Sequence, residues 1–489
     1  MGPPLLVSFQ KAFMKNKTAK YMMLACFVFA GFFVSGCRTL KAPESPTKSW
    51  VPPKWEKTTK TPDEVWNLIR RENVNSDELF TLAELIDVAF VNSPTIRNAY
   101  ETARAREAEV KQAQSEYYPQ GTVSGDLTRE KKVATLREEN TNNHNFSPKA
   151  ALSFLVLDLG GRDAAVRQAT QNVLSANFEF NQTIQDLIFN TAKAYYDFYS
   201  AQEDLKAKKA DVKDASTTLD AAERKFKSGL VSKLDMLQAK SNYEESLYYL
   251  EGAKGQVFTD RGDLAEVCGL AADVPIEIAP PDKNFARKIT SRDVSDLIDE
   301  ALKTRPDIAA ARSDLRAKQE AIKVANSNLW PTLNVTGSAE KRWYRYTGDE
   351  EKNWQYCDYV GYFSFEWDVF DGFDKYSKRL EAQAKMKEET EELKQTELAA
   401  SSDVWTRYYN LKTAIKKLIF SEAFLISSQA SHELALDGYK VGLKSILDVL
   451  EAQSQLQEAR SKLVASQKDV FVSTVGLARA MGLLARESF

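Results

Sequence analysis

Between Thr332 and Glu340 the chain alternates without a fault: Leu333, Val335, Gly337 and Ala339 fall on one side, and Thr332, Asn334, Thr336, Ser338 and Glu340 on the other. Alternation with a period of two marks a strand with one apolar face. Gly361, Phe363, Phe365, Trp367 and Val369 against Tyr362, Ser364, Glu366 and Asp368 repeat the pattern. Val123 and Leu127 against Thr122, Ser124 and Asp126 form a third instance, and a less regular apolar run around 150–158 a fourth. The strands fall at about 120–129, 147–158, 332–343 and 356–369. Elsewhere the period is helical. Residues 163–227 and 375–437 each exceed 60 residues without proline, which at 1.5 Å per residue is roughly 95–100 Å. Residues 233–269 and 446–482 return over about 55 Å, and 95–118 and 307–329 cover about 35 Å up to the strands. Two short helices stacked end to end are therefore expected beside each long one.

The chain also resembles itself. Leu85–Gly125 matches Leu297–Gly337 without a gap, so that Pro94 pairs with Pro306, Pro119 with Pro331 and Gly125 with Gly337, always 212 residues on. Gly229-Leu230 pairs with Gly442-Leu443, Asp235 with Asp448, and Gly269-Leu270 with Gly482-Leu483, 213 residues on. A register held over such distances is the mark of duplication. It divides the chain into a first repeat at 82–270 with its turn at 228–232, and a second at 293–489 with its turn at 438–445. Residues 37–81 and 271–292, rich in Pro and charge, are expected to wrap the middle.

The strands have the length of tilted membrane strands, about 10 residues. Tyr117, Tyr118, Trp330, Trp343, Trp354 and Trp367 cluster near their ends, as aromatic girdles do at the two interfaces. The charged segments Arg129–Asn145 and Lys341–Asn353 are expected as external loops. In hydrocarbon every backbone polar group needs a partner, so a four-stranded sheet with open edges cannot stand alone. Two copies would close eight strands around filled side chains, whereas three close twelve and leave an opening. The expected fold is mainly α with a membrane β-barrel: duplicated strand–helix units, four strands per chain in a twelve-stranded trimeric barrel, continued by a long α-helical periplasmic barrel.

Residues 1–36 read as a signal peptide, with Lys11, Lys15, Lys17 and Lys20 ahead of an uncharged run from Tyr21 to Gly36. Its end, Val34-Ser35-Gly36-Cys37, resembles a lipoprotein processing site that makes Cys37 the acylated N-terminus. Cys26, Cys268 and Cys357 complete the cysteines and give no disulfide framework. A net charge of -3 lacks the basic footprint of a nucleic-acid binder. His144 and His432 are the two histidines; no metal constellation, nucleophile–base set or phosphate-binding Gly loop emerges, so neither an enzyme nor a cofactor is expected.

The most specific mark is a paired turn, Phe226-x-x-Gly229-Leu230-Val231-Ser232-x-x-Asp235 and Tyr439-x-x-Gly442-Leu443-x-Ser445-x-x-Asp448-x-Leu450-Glu451. Gly229 and Gly442 suit a left-handed turn. Ser232 with Asp235, and Ser445 with Asp448, have capping-box spacing, so helix capping is a complete alternative account of Asp235, whereas Asp448 has a second feature. Asp448 and Glu451, three apart, share one helical face. With this pattern, 82–483 resembles the TolC-like outer-membrane factors, lipoprotein branch. The resemblance implies a homotrimeric duct lipid-anchored in the outer membrane at Cys37. It implies an acidic ring of Asp448 and Glu451 at the periplasmic entrance and a latch of Asp235, Tyr439 and Lys444. It further implies docking of a periplasmic membrane-fusion adaptor at Gly229, Leu230, Val231, Ser232, Gly442, Leu443 and Ser445, fed by an inner-membrane pump of the RND, ABC or MFS class. The competing expectation is a structural or adhesive long-helical surface lipoprotein without channel activity.

Overall fold

The computed structural model describes residues 40–46, 48–50, 79–132, 141–281, 293–347 and 352–484. Residues 1–40 form a separate unit, and everything below belongs to the second unit, 41–489. The signal segment and Cys37 lie outside the described residues.

Each half of this unit has the same order of elements. In the first, α1 (Leu82–Asn92) and α2 (Pro94–Ser115) lead to β1 (Gln120–Lys132) and β2 (Thr141–Leu157), then α3 (Gly161–Lys227) and α4 (Lys233–Val267). In the second, α5 (Val294–Thr304) and α6 (Pro306–Ser327) lead to β3 (Thr332–Thr347) and β4 (Lys352–Glu366), then α7 (Asp374–Val441) and α8 (Ile446–Ala480). Pro94 and Pro306 occupy the first turns of α2 and α6, where a missing N–H costs nothing. The long helices α3 and α7 have 67 and 68 residues, about 100 Å at 1.5 Å per residue. Each has a short helix beside its upper part, α2 or α6, and a 35-residue helix beside its lower part, α4 or α8.

The strands make one antiparallel sheet in the order β1-β2-β3-β4. They run further than alternation alone indicates. β1 pairs through Lys132 with Thr141, and β3 through Tyr346 with Lys352, so most of the segments expected as external loops belong to the ladder. Apolar alternation marks only the part of a strand that faces hydrocarbon, whereas pairing is a backbone property that continues where side chains meet water. At the other end β4 stops at Glu366, before Trp367, whose indole N–H donates to the Leu329 carbonyl at 3.3 Å. Arg162 ties the β2–α3 junction, donating to the carbonyls of Leu155 at 2.6 Å and Glu116 at 3.2 Å. Its guanidinium lies over the Tyr117 ring.

Buried aromatics fill the middle. Tyr195, Phe180 and Phe198 are among the largest fully buried side chains, and Tyr196 stacks on Phe471 at 4.8 Å. Phe80 bridges Ile278 there, while the main chain of Trp50 exchanges two hydrogen bonds with Asn181 on α3. Cys268, fully buried beside the Leu85 carbonyl, has its thiol pushed up to about 12 by burial. Thiolate is the nucleophile, so iodoacetamide at pH 8 should leave Cys268 unmodified in the folded protein and alkylate it after denaturation; mass spectrometry of the Cys268 peptide decides.

Among the described residues no helix is long and apolar enough to cross a membrane. The sheet is the element with the required surface, since Val123, Leu127, Phe363 and Phe365 are all more than two-thirds exposed on one face.

Candidate functional site at the helical tip

Farthest from the sheet, α3 turns into α4 and α7 into α8. Both turns are built the same way. Gly229 and Gly442 take left-handed φ values of 74° and 87°, and the next residues close the turn: Leu230 N–H donates to the Lys225 carbonyl at 2.9 Å and Leu443 N–H to Gly438 at 2.8 Å. This is the six-to-one bond of a glycine-terminated helix. The following helices start on reciprocal caps. Asp235 N–H donates to the Ser232 hydroxyl and Ser232 N–H to the Asp235 carboxylate, both at 3.2 Å. Ser445 donates to the Asp448 carboxylate with its N–H at 2.8 Å and its hydroxyl at 2.9 Å.

These donors set the charge of Asp448. The Ser445 N–H, then the Ser445 hydroxyl, and more weakly the Lys444 ammonium 4.0 Å away hold its carboxyl below the usual range. It is ionised at any physiological pH and half engaged in the cap. Glu451, one turn along the same face, is exposed, so the two carboxylates stand together near the start of α8.

The two hairpins are welded by one apolar cluster in which Ala222 and Ala239 of the first meet Leu436, Tyr439, Ile446, Val449 and Ala452 of the second. Val231 packs against its edge, whereas Leu230 and Leu443 stand 73% and 83% exposed at the extremity. Tyr439 is buried, and burial, aided by the nearby Asp235 charge, raises its phenol above the ordinary value. Its hydroxyl has no hydrogen-bond partner.

Lys444 curls over Gly438, where an added Cβ would come within 2.8 Å of its Cγ. The structure thus gathers Asp235, Tyr439, Lys444, Asp448 and Glu451 at one end. What grips Tyr439, however, is Lys225, which sequence reasoning missed: its ammonium donates to the Tyr439 carbonyl and lies 4.3 Å from the ring centre. Lys225 sits in a basic last turn, where a lysine is explained by the helix dipole alone.

A sheet with one apolar face, helices about 100 Å long and a twice-repeated capped turn are the features that known proteins can be asked to match. The family model described as "Outer membrane efflux protein" matches twice, over residues 85–270 and 297–483. The chain belongs to that family. Protein CyaE of Bordetella pertussis is 26% identical over 411 residues, covering 83% of this chain and 85% of its own. Outer membrane protein TolC of Escherichia coli is 23% identical over 414 residues, 82% of each. The Campylobacter jejuni CmeC outer membrane channel superposes with a TM-score of 0.70 at 19% identity, covering 91% of this chain and 94% of that one, and it shares the fold. As an outer membrane efflux protein, the chain has its sheet in the outer membrane and its helices in the periplasm.

Proposed function

We propose that three copies of the chain close one barrel, twelve strands from three four-stranded sheets, and that this barrel and the helices below it form an export duct gated at the tip. The observation that carries the reading is the sheet itself. β1 and β4 are edges with long unpaired sides, directly beside a face that only hydrocarbon would cover. Such edges require partners in a bilayer. Large apolar side chains on the lower helices, among them Tyr248, Phe258, Trp405, Phe420 and Leu434, are all at least 50% exposed in the single chain. Their number is that of a surface made to be covered.

In this reading the three tips converge. Asp448 and Glu451 of each chain would form a ring of carboxylates around the entrance, and Asp235, Tyr439 and Lys444 would latch neighbouring hairpins. The exposed turns, Gly229–Ser232 and Gly442–Ser445, would receive a periplasmic membrane-fusion adaptor carrying solutes from an inner-membrane pump of the RND, ABC or MFS class. A gate of this kind opens when a partner binds the open tip better than the closed one. Residues 1–36 would be removed, leaving Cys37 acylated as the anchor, and 37–81 and 271–292 would wrap the middle. Passage through a water-filled duct needs no covalent chemistry from the chain.

Single-channel recording in planar bilayers tests the reading. Wild type should give small, cation-preferring currents at the mass of a trimer, and Asp448→Ala with Glu451→Ala should lose that preference or pass larger currents. Monomeric mass in detergent with silence from both proteins would reject the duct and favour a structural lipoprotein. Unaltered selectivity in a conducting variant would reject the ring.

A further inference from the structure

The outward face of the sheet carries its charges in an arrangement that a lipid-facing surface does not need. Side chains alternate between faces along a strand, and the pairing registers sort the strand residues between the two faces, apart from an irregularity in β2 between Leu155 and Leu157. The apolar side holds Leu333, Val335, Phe363, Phe365 and Val123. Following it toward the hairpin ends, the row Leu127, Phe146 and Trp343 comes next, with Phe146 and Trp343 stacked at 5.4 Å. One step further the row is Arg129, His144 and Arg345, side by side on β1, β2 and β3.

The charge on this face has one sign. Arg129, Lys131, Lys341 and Arg345 lie on it, and among its described residues there is no Asp or Glu; Asp126, Glu130, Glu340, Asp358 and Glu366 all lie on the other face. The Lys341 ammonium reaches along the strand to within 4.7 Å of the Trp343 ring centre, as a long side chain does when it carries its charge out of hydrocarbon. An open cavity of about 420 Å³ lies here, its lining including Leu127, His144, Phe146, Trp343 and Arg345.

Height identifies what meets this row. From Leu333 to Trp343 is ten residues, about 33 Å along the strand, which at the usual tilt is close to the 25 Å apolar band of an outer-membrane barrel. The aromatic row therefore marks the outer interface and the basic row the headgroup layer above it. Neighbouring strands are about 4.8 Å apart, so the two guanidinium groups, with His144 between them, span roughly 10 Å, enough to engage two phosphates.

We infer that Arg129, His144 and Arg345, above the Phe146–Trp343 pair, form a binding surface for phosphate-bearing lipid headgroups of the outer leaflet, which the closed barrel repeats three times around its rim. This rests on the reading of the sheet as a membrane barrel. The experiment uses the full lipidated protein in phosphatidylcholine vesicles doped with a bis-phosphorylated diglucosamine lipid, or with the same lipid stripped of phosphate, and measures lipid retained per trimer after extraction into a neutral detergent.

Wild type should retain the phosphorylated lipid selectively. Arg129→Gln with Arg345→Gln should weaken retention by roughly thirtyfold, the loss expected for two surface cations, while Arg345→Lys should keep most of it. Trimer mass and bilayer currents of the double variant should match wild type, which separates lost binding from lost folding. Equal retention of the two lipids by a conducting wild type, or unchanged retention by the double variant, overturns the inference and leaves the duct standing. Displacement by inorganic phosphate at matched concentration also overturns it, in favour of a free-anion site. A wild type that neither inserts nor conducts fails the barrel reading itself.

Discussion

Arg460→Ala should be among the most destabilising single changes in the helical cylinder, and acid should partly rescue it. Arg460 on α8 donates to Asp211 on α3 at 2.6 Å and lies 2.8 Å from Asp214. The Asp211 side chain is only 3% exposed. Burial raises its carboxyl above the ordinary value, and the Arg460 hydrogen bond and charge pull it back. Removing one partner of a buried pair costs about 3–5 kcal/mol where the other is left with no counter-charge, and the loss here should fall toward the lower end because Lys208 stays 3.8 Å from Asp211. A group whose folded pKa is raised favours folding fully below its unfolded value, near 4, and that contribution is lost as pH rises through the folded value. Without Arg460 the folded value rises further, so the deficit should be greatest at neutral pH and shrink toward pH 5. His432 on α7 moves the same way. Burial lowers its pKa, and the Arg460 charge lowers it further against Asp214, which raises it; deleting Arg460 lets acid charge His432 beside Asp214. Thermal melting of helical circular dichroism should show a drop at pH 7.5, a smaller one at pH 5, and suppression of both by adding Asp211→Asn. A drop independent of pH would mean that lost packing of the Arg460 stem, and not the stranded carboxylate, is responsible.

The same pair shows where the sequence stops being readable. On a helix of 67 residues Asp211 looks like any solvated acid, and its partner lies 249 positions away. Lys225 and Tyr439, 214 apart, are hidden for the same reason: contacts between repeats leave no local trace. Local physics is legible. Proline-free helical runs give α3 and α7, glycines give the turns at 229 and 442, and the serine–aspartate spacing gives the caps. The strands are legible only in part, because hydrocarbon imposes alternation on Leu333–Ala339 while nothing imposes it on Arg342–Tyr346, which pair equally well. The acids of the tip divide likewise. Capping fixes Asp448 from sequence, but whether it also faces a pore depends on copies the chain's own pattern cannot place.

Four glycines with nearly the same backbone should respond very differently to alanine. Gly229, Gly269, Gly442 and Gly482 have φ values of 74°, 70°, 87° and 70°, and each ends a long helix through the same closing bond, at Leu270 N–H to Ala265 and Leu483 N–H to Ala478 in the waist pair. An L side chain in this conformation costs about 1–2 kcal/mol by itself. At Gly229 and Gly442 that should be the whole effect, because an added Cβ meets nothing within 4 Å. At Gly269 the Cβ would lie 2.8 Å from the Asn92 carbonyl carbon and oxygen, and at Gly482 it would lie 2.9 Å from the Arg305 Cα and 3.0 Å from its nitrogen. Backbone cannot swing aside as a flexible side chain can. Arg305 is further pinned by its own bonds to Asp307, Asp403 and the Ala480 carbonyl, while the Gly482 carbonyl accepts from Gln185 on α3. Gly482→Ala must therefore open the junction of α5, α6, α7 and α8, losing several of these bonds at about 1 kcal/mol each in addition to the left-handed strain. The expected ranking in melting temperature is a modest decrease for Gly229→Ala and Gly442→Ala and a decrease at least twice as large for Gly269→Ala and Gly482→Ala. Equal decreases at all four would show that backbone conformation alone selects glycine, and that the close approach of the waist helices imposes no further demand.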